Sequence, residues 1–159
     1  PDQHASPPPS RLKLTAEEIR QRIVRHAHVK AQDRIALMKQ KIDAGAEYIV
    51  TQLFFDNNKF FQFVDKCREA GITVPIIPGI KPITNLKHIN FMPKFFHVEL
   101  PEAFTIELLK CKTDAEVAEV GIDWCIAQSK ELMEKKVPGI HYFTMGKSTA
   151  TKKIVKTIF

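Results

Sequence analysis

Three short stretches could set polar groups side by side. In Tyr48-Ile49-Val50-Thr51-Gln52-Leu53-Phe54-Phe55, an uncharged amide stands inside an apolar, strand-like run. Gln52 offers donors and an acceptor in one plane. A second run, Ile72 to Ile77, leads into Pro78-Gly79-Ile80, where a small residue lets backbone approach a neighbour. A third, Gly139 to Thr144, leads into Met145-Gly146-Lys147 and a cation. An amide, accessible backbone and an ammonium suit the orientation of a polar, partly aromatic ligand. None is a nucleophile, and no Ser-His-Asp or Cys-His pairing at these ends points to covalent catalysis. A plainer role for Gln52 is to satisfy neighbouring backbone groups.

Other reactive residue types point to less. Cys67, Cys111 and Cys125 form no Cys-x-x-Cys, and their odd number argues against a disulfide framework. Each falls in a helical pattern, where Cys packs as a small hydrophobe, and a reducing, cytoplasmic compartment is expected. His26 and His28 sit two apart on a helical pattern and point to different faces, so no metal site is expected there. The net charge of +6 is concentrated in Arg11 to Lys41 and Lys130 to Lys156. With no zinc-finger spacing or aromatic RNA-binding signature, this reads as solvated basic helix faces, without a nucleic-acid partner. Apolar residues make up 44% of the chain and charged ones 26%, as in a soluble globular protein. No apolar run approaches the roughly 18 residues of a membrane span, and no signal-peptide pattern opens the chain. The chain begins at Pro1 rather than Met, so a fragment or processed chain is expected.

The elements that must position these groups alternate. Pro7-Pro8-Pro9 reads as a stiff connector. Thr15 and Glu18 form a capping box before a basic helical pattern that ends at Gly45, well placed for a left-handed cap. Strand Glu47 to Thr51 follows, then a helix from about Asn58 to Gly71 that buries Phe60, Phe61, Val64 and Cys67. After the second strand come a helical region from Thr84 to about Phe96 and a short helix opened by Pro101. A second capping box, Thr113 with Glu116, opens a long amphipathic helix carrying Val117, Val120, Trp124, Cys125 and Leu132. Ser148 is placed to cap the last helix. Strands alternating with helices predict a parallel α/β sheet with right-handed crossovers, and the near-continuous apolar strands predict burial on both faces. An open doubly wound sheet and a barrel both fit. The absence of Gly-x-Gly-x-x-Gly weakens the first. A complete barrel needs about 250 residues and eight strands, so this chain would be part of one.

At "DAGA", "TQLFFD", "PIIPGI" and "HYFTM" the sequence closely resembles the methylenetetrahydrofolate reductase family, with the match running from about Asp33 to Lys156. The resemblance implies a TIM (β/α)8 barrel. Its last three β/α units would be present here, together with an inserted N-terminal helix. Residues 1–30 would be a loop and inserted basic helix, and 31–159 a single, incomplete domain. The implied activity is the reduction of 5,10-methylenetetrahydrofolate to 5-methyltetrahydrofolate with NAD(P)H. The hydride would pass through FAD in a ping-pong scheme, as part of one-carbon metabolism and methionine biosynthesis. A homo-oligomer is implied for the full-length protein.

Carried over by position, Gln52 matches the family's amide contacting pterin and nicotinamide. Lys147 falls where the family has a basic residue near the folate. His88 aligns with a polar folate contact, and Phe91 or Met92 with an aromatic covering the ligand. On the flavin side, "PDQHAS" matches a family loop, making His4 the flavin-contacting histidine. Lys41 matches a lysine near the flavin phosphates, Asp33 lies next to the family's Asp, and Gln40 sits where a polar or basic residue is usual. The family's proton-donating Glu and the acid beside the flavin lie in regions this chain does not contain. Glu47 and Asp56 do not replace them, so the chain alone is expected to lack a catalytic residue and to be inactive. Two other functions fit the same residues: a flavin-free pterin-binding barrel, and a non-catalytic half-barrel subunit whose basic helix binds a partner.

Overall fold

The computed structural model describes residues 34–159. The expectations for His4, the Pro7 to Pro9 connector, the Thr15 capping box, His26, His28, Asp33 and the inserted helix lie outside the described residues. Two compact units divide the chain, residues 1–40 and 41–159. The described residues of the first, 34–40, are helical, and the second opens with helical residues 41–43, labelled α1. There follow β1 (Ile49–Leu53), α2 (Asn57–Glu69), β2 (Ile76–Ile80), α3 (Leu86–Phe96), α4 (Glu102–Lys110), α5 (Asp114–Glu134), β3 (His141–Tyr142) and α6 (Thr149–Ile158).

The three strands form one parallel sheet in the order β1-β2-β3. Each strand is entered from a helix that ends in the same way. After α1, the Gly45 N–H bonds to the Ile42 carbonyl and Ala46 N–H to that of Lys41. Gly71 and Ile72 repeat the pattern after α2, and Lys136 and Val137 after α5. This paired arrangement needs a left-handed residue, here Gly45 (φ 105°), Gly71 (φ 81°) and Lys136 (φ 56°). The helix starts follow sequence chemistry as well. Asp56 caps α2 by accepting from Asn58 N, a structural role. Thr113 and Glu116 form the complete capping box of α5. Ser148 stands at the start of α6 but makes no side-chain capping bond, contrary to expectation.

The strands correct the expected boundaries. β2 begins at Ile76, not Ile72, and continues through Pro78 and Gly79 to Ile80. Pro78 has no N–H to give its neighbour, and β1 accommodates this with a register shift between Val50 and Leu53, opposite Pro78. Thr51 Oγ1 accepts the Gly79 N–H at 3.0 Å, and Gln52 Oε1 accepts the Leu53 N–H at 3.0 Å. Gln52 therefore lies inside the strand, one residue from its end. Nor is β1 buried on both faces. Ile49, Thr51 and Leu53 turn towards the chain's own packing, while Val50 and Gln52 are exposed.

The core lies beyond the C-terminal end of β1, where Leu53 and Phe55 pack with Ile83, Met92, Phe104, Leu108 and Val117. Phe104 is fully buried and stacks on Trp124 at 4.5 Å, while the Trp124 indole N–H donates to Phe55 O at 3.0 Å. Burying a side chain of that size contributes about 1.5–3 kcal/mol. Behind this core, Gln128 donates to Phe54 O and Asn57 Oδ1, which fixes α5 against the β1–α2 connection.

Candidate ligand-binding site

A cavity of about 1160 Å³ opens beyond the C-terminal ends of β2 and β3. That is at or just above the roughly 300–1,000 Å³ usual for small-molecule sites. Its walls come from the β2–α3 connection, α3, the first half of α5, and the β3–α6 connection. Parallel α/β sheets place ligands at this end of their strands, because the connecting loops converge there.

The β2–α3 connection supplies Lys81, the first residue after the strand. It is 8% exposed, and its Nζ donates to Phe143 O at 3.3 Å. Burial pushes its pKa down, and the nearby Cys125 opposes this. Asn85 then caps α3, its Oδ1 accepting from His88 N at 3.0 Å, which brings the His88 ring onto the cavity wall. The start of α3 is tied to α5, since Leu86 N donates to Asp114 Oδ1 at 2.9 Å.

Burial and two neighbouring cations disfavour the charged form of His88. Its pKa is lowered first by burial and then by the Lys81 and Lys147 ammonium groups, with Asp114 acting in the opposite direction. Its hydrogen-bond environment has the same sense. Thr84 N–H donates to Nδ1 at 3.3 Å, and Asn85 Nδ2 lies 3.1 Å from Nε2. A doubly protonated ring would point its Nδ1–H at the Thr84 N–H. The neutral ring offers a hydrogen-bonding edge without a charge.

The opposite wall is a tight turn. Lys147 N–H bonds to Thr144 O at 2.9 Å, with Met145 and Gly146 both left-handed at φ 49° and 77°. The turn ends β3 and sets Lys147 at the cavity mouth. Aromatic rings form the third side. Phe91 and Phe95 stack at 4.9 Å and stand 46% and 64% exposed. The site thus combines a flat aromatic surface, a neutral imidazole and two cations. It can bind a ring system bearing an anionic group, and it contains no nucleophile paired with a base.

The family model for methylenetetrahydrofolate reductase matches residues 24–158. The chain belongs to the methylenetetrahydrofolate reductase family. Among its curated relatives, a probable methylenetetrahydrofolate reductase (NADPH) of Caenorhabditis elegans is 38% identical over 76% of this chain. Methylenetetrahydrofolate reductase (NADH) 1 of Arabidopsis thaliana is 38% identical over 72% of the chain. The 5,10-methylenetetrahydrofolate reductase of Salmonella typhimurium is 33% identical over 80%. The chain spans 19% of the length of the first two relatives and 44% of the third. Among solved structures, an uncharacterized Clostridium thermocellum protein described as binding two copies of 5-methyl-5,6,7,8-tetrahydrofolic acid aligns with a TM-score of 0.54 at 21% identity. That alignment covers 84% of this chain and 50% of that one. It shows a common α/β fold.

Of the substrate residues expected from the reductase family, His88, Phe91, Met92 and Lys147 all line the cavity. Three come from α3 and Lys147 from the β3–α6 connection, separated by α4, α5 and β3 in the chain. The two aromatic-position candidates differ in kind. Met92 is 2% exposed and belongs to the core, whereas Phe91 presents its ring at the wall. Gln52 does not line this cavity and lies on the exposed face of β1. The backbone at Gly79 is not open to a ligand either. A Cβ there would stand 2.4 Å from Thr51 O and 2.6 Å from a Phe143 ring atom, so the chain itself fills that approach. Lys41, in α1, is exposed, and so is Gln40, in the first unit.

The cavity residues that the sequence did not single out include Lys81, Phe95 and Asp114. Lys81 had a signal, because it directly follows Ile80. It was hidden by placing the strand end at Ile77. Phe95 lies four residues after Phe91, the spacing that brings side chains together on a helix. Among the described residues no cluster of His, Cys, Asp and Glu could hold a metal ion, and no helix is long and apolar enough to cross a membrane.

Proposed function

We propose that the chain is the substrate-side portion of a flavin-dependent methylenetetrahydrofolate reductase. In the complete protein, NAD(P)H and 5,10-methylenetetrahydrofolate would use one site in turn, in a ping-pong scheme yielding 5-methyltetrahydrofolate. The observation that carries this reading is the convergence of His88, Phe91 and Lys147 on one cavity at the strand ends. Phe91 and its stacked partner Phe95 offer a face for an aromatic ring, His88 hydrogen-bonds without repelling a cationic neighbour, and Lys147 neutralises an acidic group. Gln52, exposed on the adjoining sheet face, orients the edge of the pterin or nicotinamide with its paired donor and acceptor.

The described residues fit an FAD partner at one point. Lys41 carries an exposed cation suited to phosphate oxygens. His4, Asp33 and Gln40 are its proposed companions, by resemblance. The flavin supplies the hydride chemistry, and this chain supplies binding and orientation. No residue of this chain is assigned a proton-transfer role. The three-stranded sheet would be three units of a (β/α)8 barrel, completed by strands outside this chain, which also explains the exposed face of β1. A cytoplasmic, homo-oligomeric enzyme is part of the same proposal.

The test is made on the complete protein that carries this chain. Expected are bound flavin, visible by absorption, and NAD(P)H-dependent conversion of methylenetetrahydrofolate. Residues 1–159 alone are expected to give no turnover. A complete protein with neither flavin nor turnover would remove the reading.

A further inference from the structure

Two backbone donors beside the β1 bulge are met by side chains. β1 and β2 pair Val50 with Ile77 and next Leu53 with Gly79, so Thr51 and Gln52 together stand opposite Pro78. An extra residue of this kind bends its strand and re-aims a side chain. Gly79 is buried, so its N–H needs an acceptor from the chain. Thr51 Oγ1 is that acceptor, at 3.0 Å, where a regular parallel ladder would use a backbone carbonyl. On the other face of β1, the exposed Gln52 closes back on the chain, its Oε1 accepting the Leu53 N–H at 3.0 Å. That bond orients the amide, since only its oxygen can accept an N–H. Glycine at 79 belongs to the same arrangement, because a Cβ there would stand 2.4 Å from Thr51 O. Without the threonine hydroxyl, the Gly79 N–H regains an acceptor by a return to regular pairing. Losing the extra residue shifts β1 by one beyond Val50 and turns Gln52 to the opposite face.

We propose that Thr51 is a positioning residue for the ligand-orienting amide of Gln52. Its hydroxyl stands in for a ladder carbonyl and stabilises the bulge, and the bulge holds Gln52 on the exposed face of β1. Thr51, half-buried on the other face, makes no ligand contact of its own. This rests on the folate reading of Gln52 above and adds the residue that sets its amide in place.

The complete protein is compared with Thr51→Val, Thr51→Ser, Gln52→Leu and the Thr51→Val/Gln52→Leu double variant, with methylenetetrahydrofolate as substrate. Valine keeps the branched shape that suits a strand and removes the acceptor, whereas serine keeps the acceptor. Thr51→Val is expected to lower kcat/KM about tenfold, the size of one lost hydrogen bond, and Thr51→Ser to stay within about threefold of wild type. The double variant should be no slower than Gln52→Leu alone, because Thr51 acts only through that amide. Losses that multiply in the double variant, or a loss in Thr51→Ser equal to that in Thr51→Val, overturn the proposal. A second measurement stands even where Thr51→Val does not fold. In wild-type protein, bound 5-methyltetrahydrofolate should slow amide hydrogen exchange at Gly79 and Leu53, and unchanged rates at both overturn the proposal. Normal kinetics in Thr51→Val beside impaired Gln52→Leu removes this inference alone, whereas normal kinetics in Gln52→Leu removes the role of Gln52 on which it rests.

Discussion

Helix α5 meets the β2–α3 connection at Gly121, where a Cβ would stand 1.8 Å from the carbonyl oxygen of Ile83. The obstacle is backbone, so no side-chain rotation relieves it. This approach holds Ile122 and Asp114 of α5 at the cavity that Lys81 and His88 enter from the other side. Gly121→Ala is expected to destabilise the fold by about 3 kcal/mol, the upper end of overpacking costs. For a domain of this size that is a fall of about 6–12 °C in melting temperature. A melting point within about 2 °C of wild type would show that α5 moves aside freely.

His88 gives the fold a pH dependence. Its folded pKa is lowered, so between the folded value and the ordinary 6.5 the unfolded chain binds more protons. Its contribution is complete above about pH 6.5 and is lost as the pH falls through the folded value. Urea midpoints measured from pH 7.5 to pH 5 should fall less steeply for His88→Gln than for wild type. Parallel curves would place the ring in ordinary solvent.

Among the described residues the Gln52 side chain bonds only to its own neighbour, Leu53 N, and it is exposed. Gln52→Leu should change stability by no more than about 1 kcal/mol, the size of one hydrogen bond. In the complete protein its effect should appear in folate kinetics. Discrimination between pterin ligands should decrease while NAD(P)H oxidation with an artificial acceptor is affected less. Unchanged folate kinetics would leave Gln52 as a bulge residue alone.

The cysteines should separate by reactivity. Burial pushes the Cys125 thiol up to about 12, with Ser129 and Lys81 opposing, and also raises Cys67. At pH 8 the thiolate fraction of Cys125 is about one in ten thousand. Iodoacetamide at pH 8, followed by mass spectrometry, should label the half-buried Cys111 first among the three in native protein. Early labelling of Cys125 would indicate local opening of α5.

Much of the architecture was legible because local chemistry states it directly. The Thr113–Glu116 box, Gly45 and Gly71 each act within one helical turn, so their spacing predicts their geometry. The order of strands and helices, and the parallel sheet, follow from apolar period and turn residues. The end of β2 was not legible. Pro78 reads as a strand terminator, yet it is accommodated by a bulge in β1, a neighbour that lies in a different part of the sequence. That one misplacement hid Lys81 as the first rim residue. Ser148 likewise has the right type for a cap, but its backbone at φ −99° and ψ −5° places it in the helical region and leaves it without a capping bond.

By itself, the sequence determined the family, the order of elements and the residue types offered at the strand ends. Those follow from short-range pattern and from motif resemblance. Only the tertiary structure decided which of those residues share a space. It brought His88, Phe91 and Lys147 to one cavity, buried Met92, left Gln52 on the sheet face and added Lys81. The reason is physical: a cavity wall is set by where separate elements pack, and here that depends on a glycine–carbonyl contact between α5 and the β2–α3 connection that no local sequence pattern records.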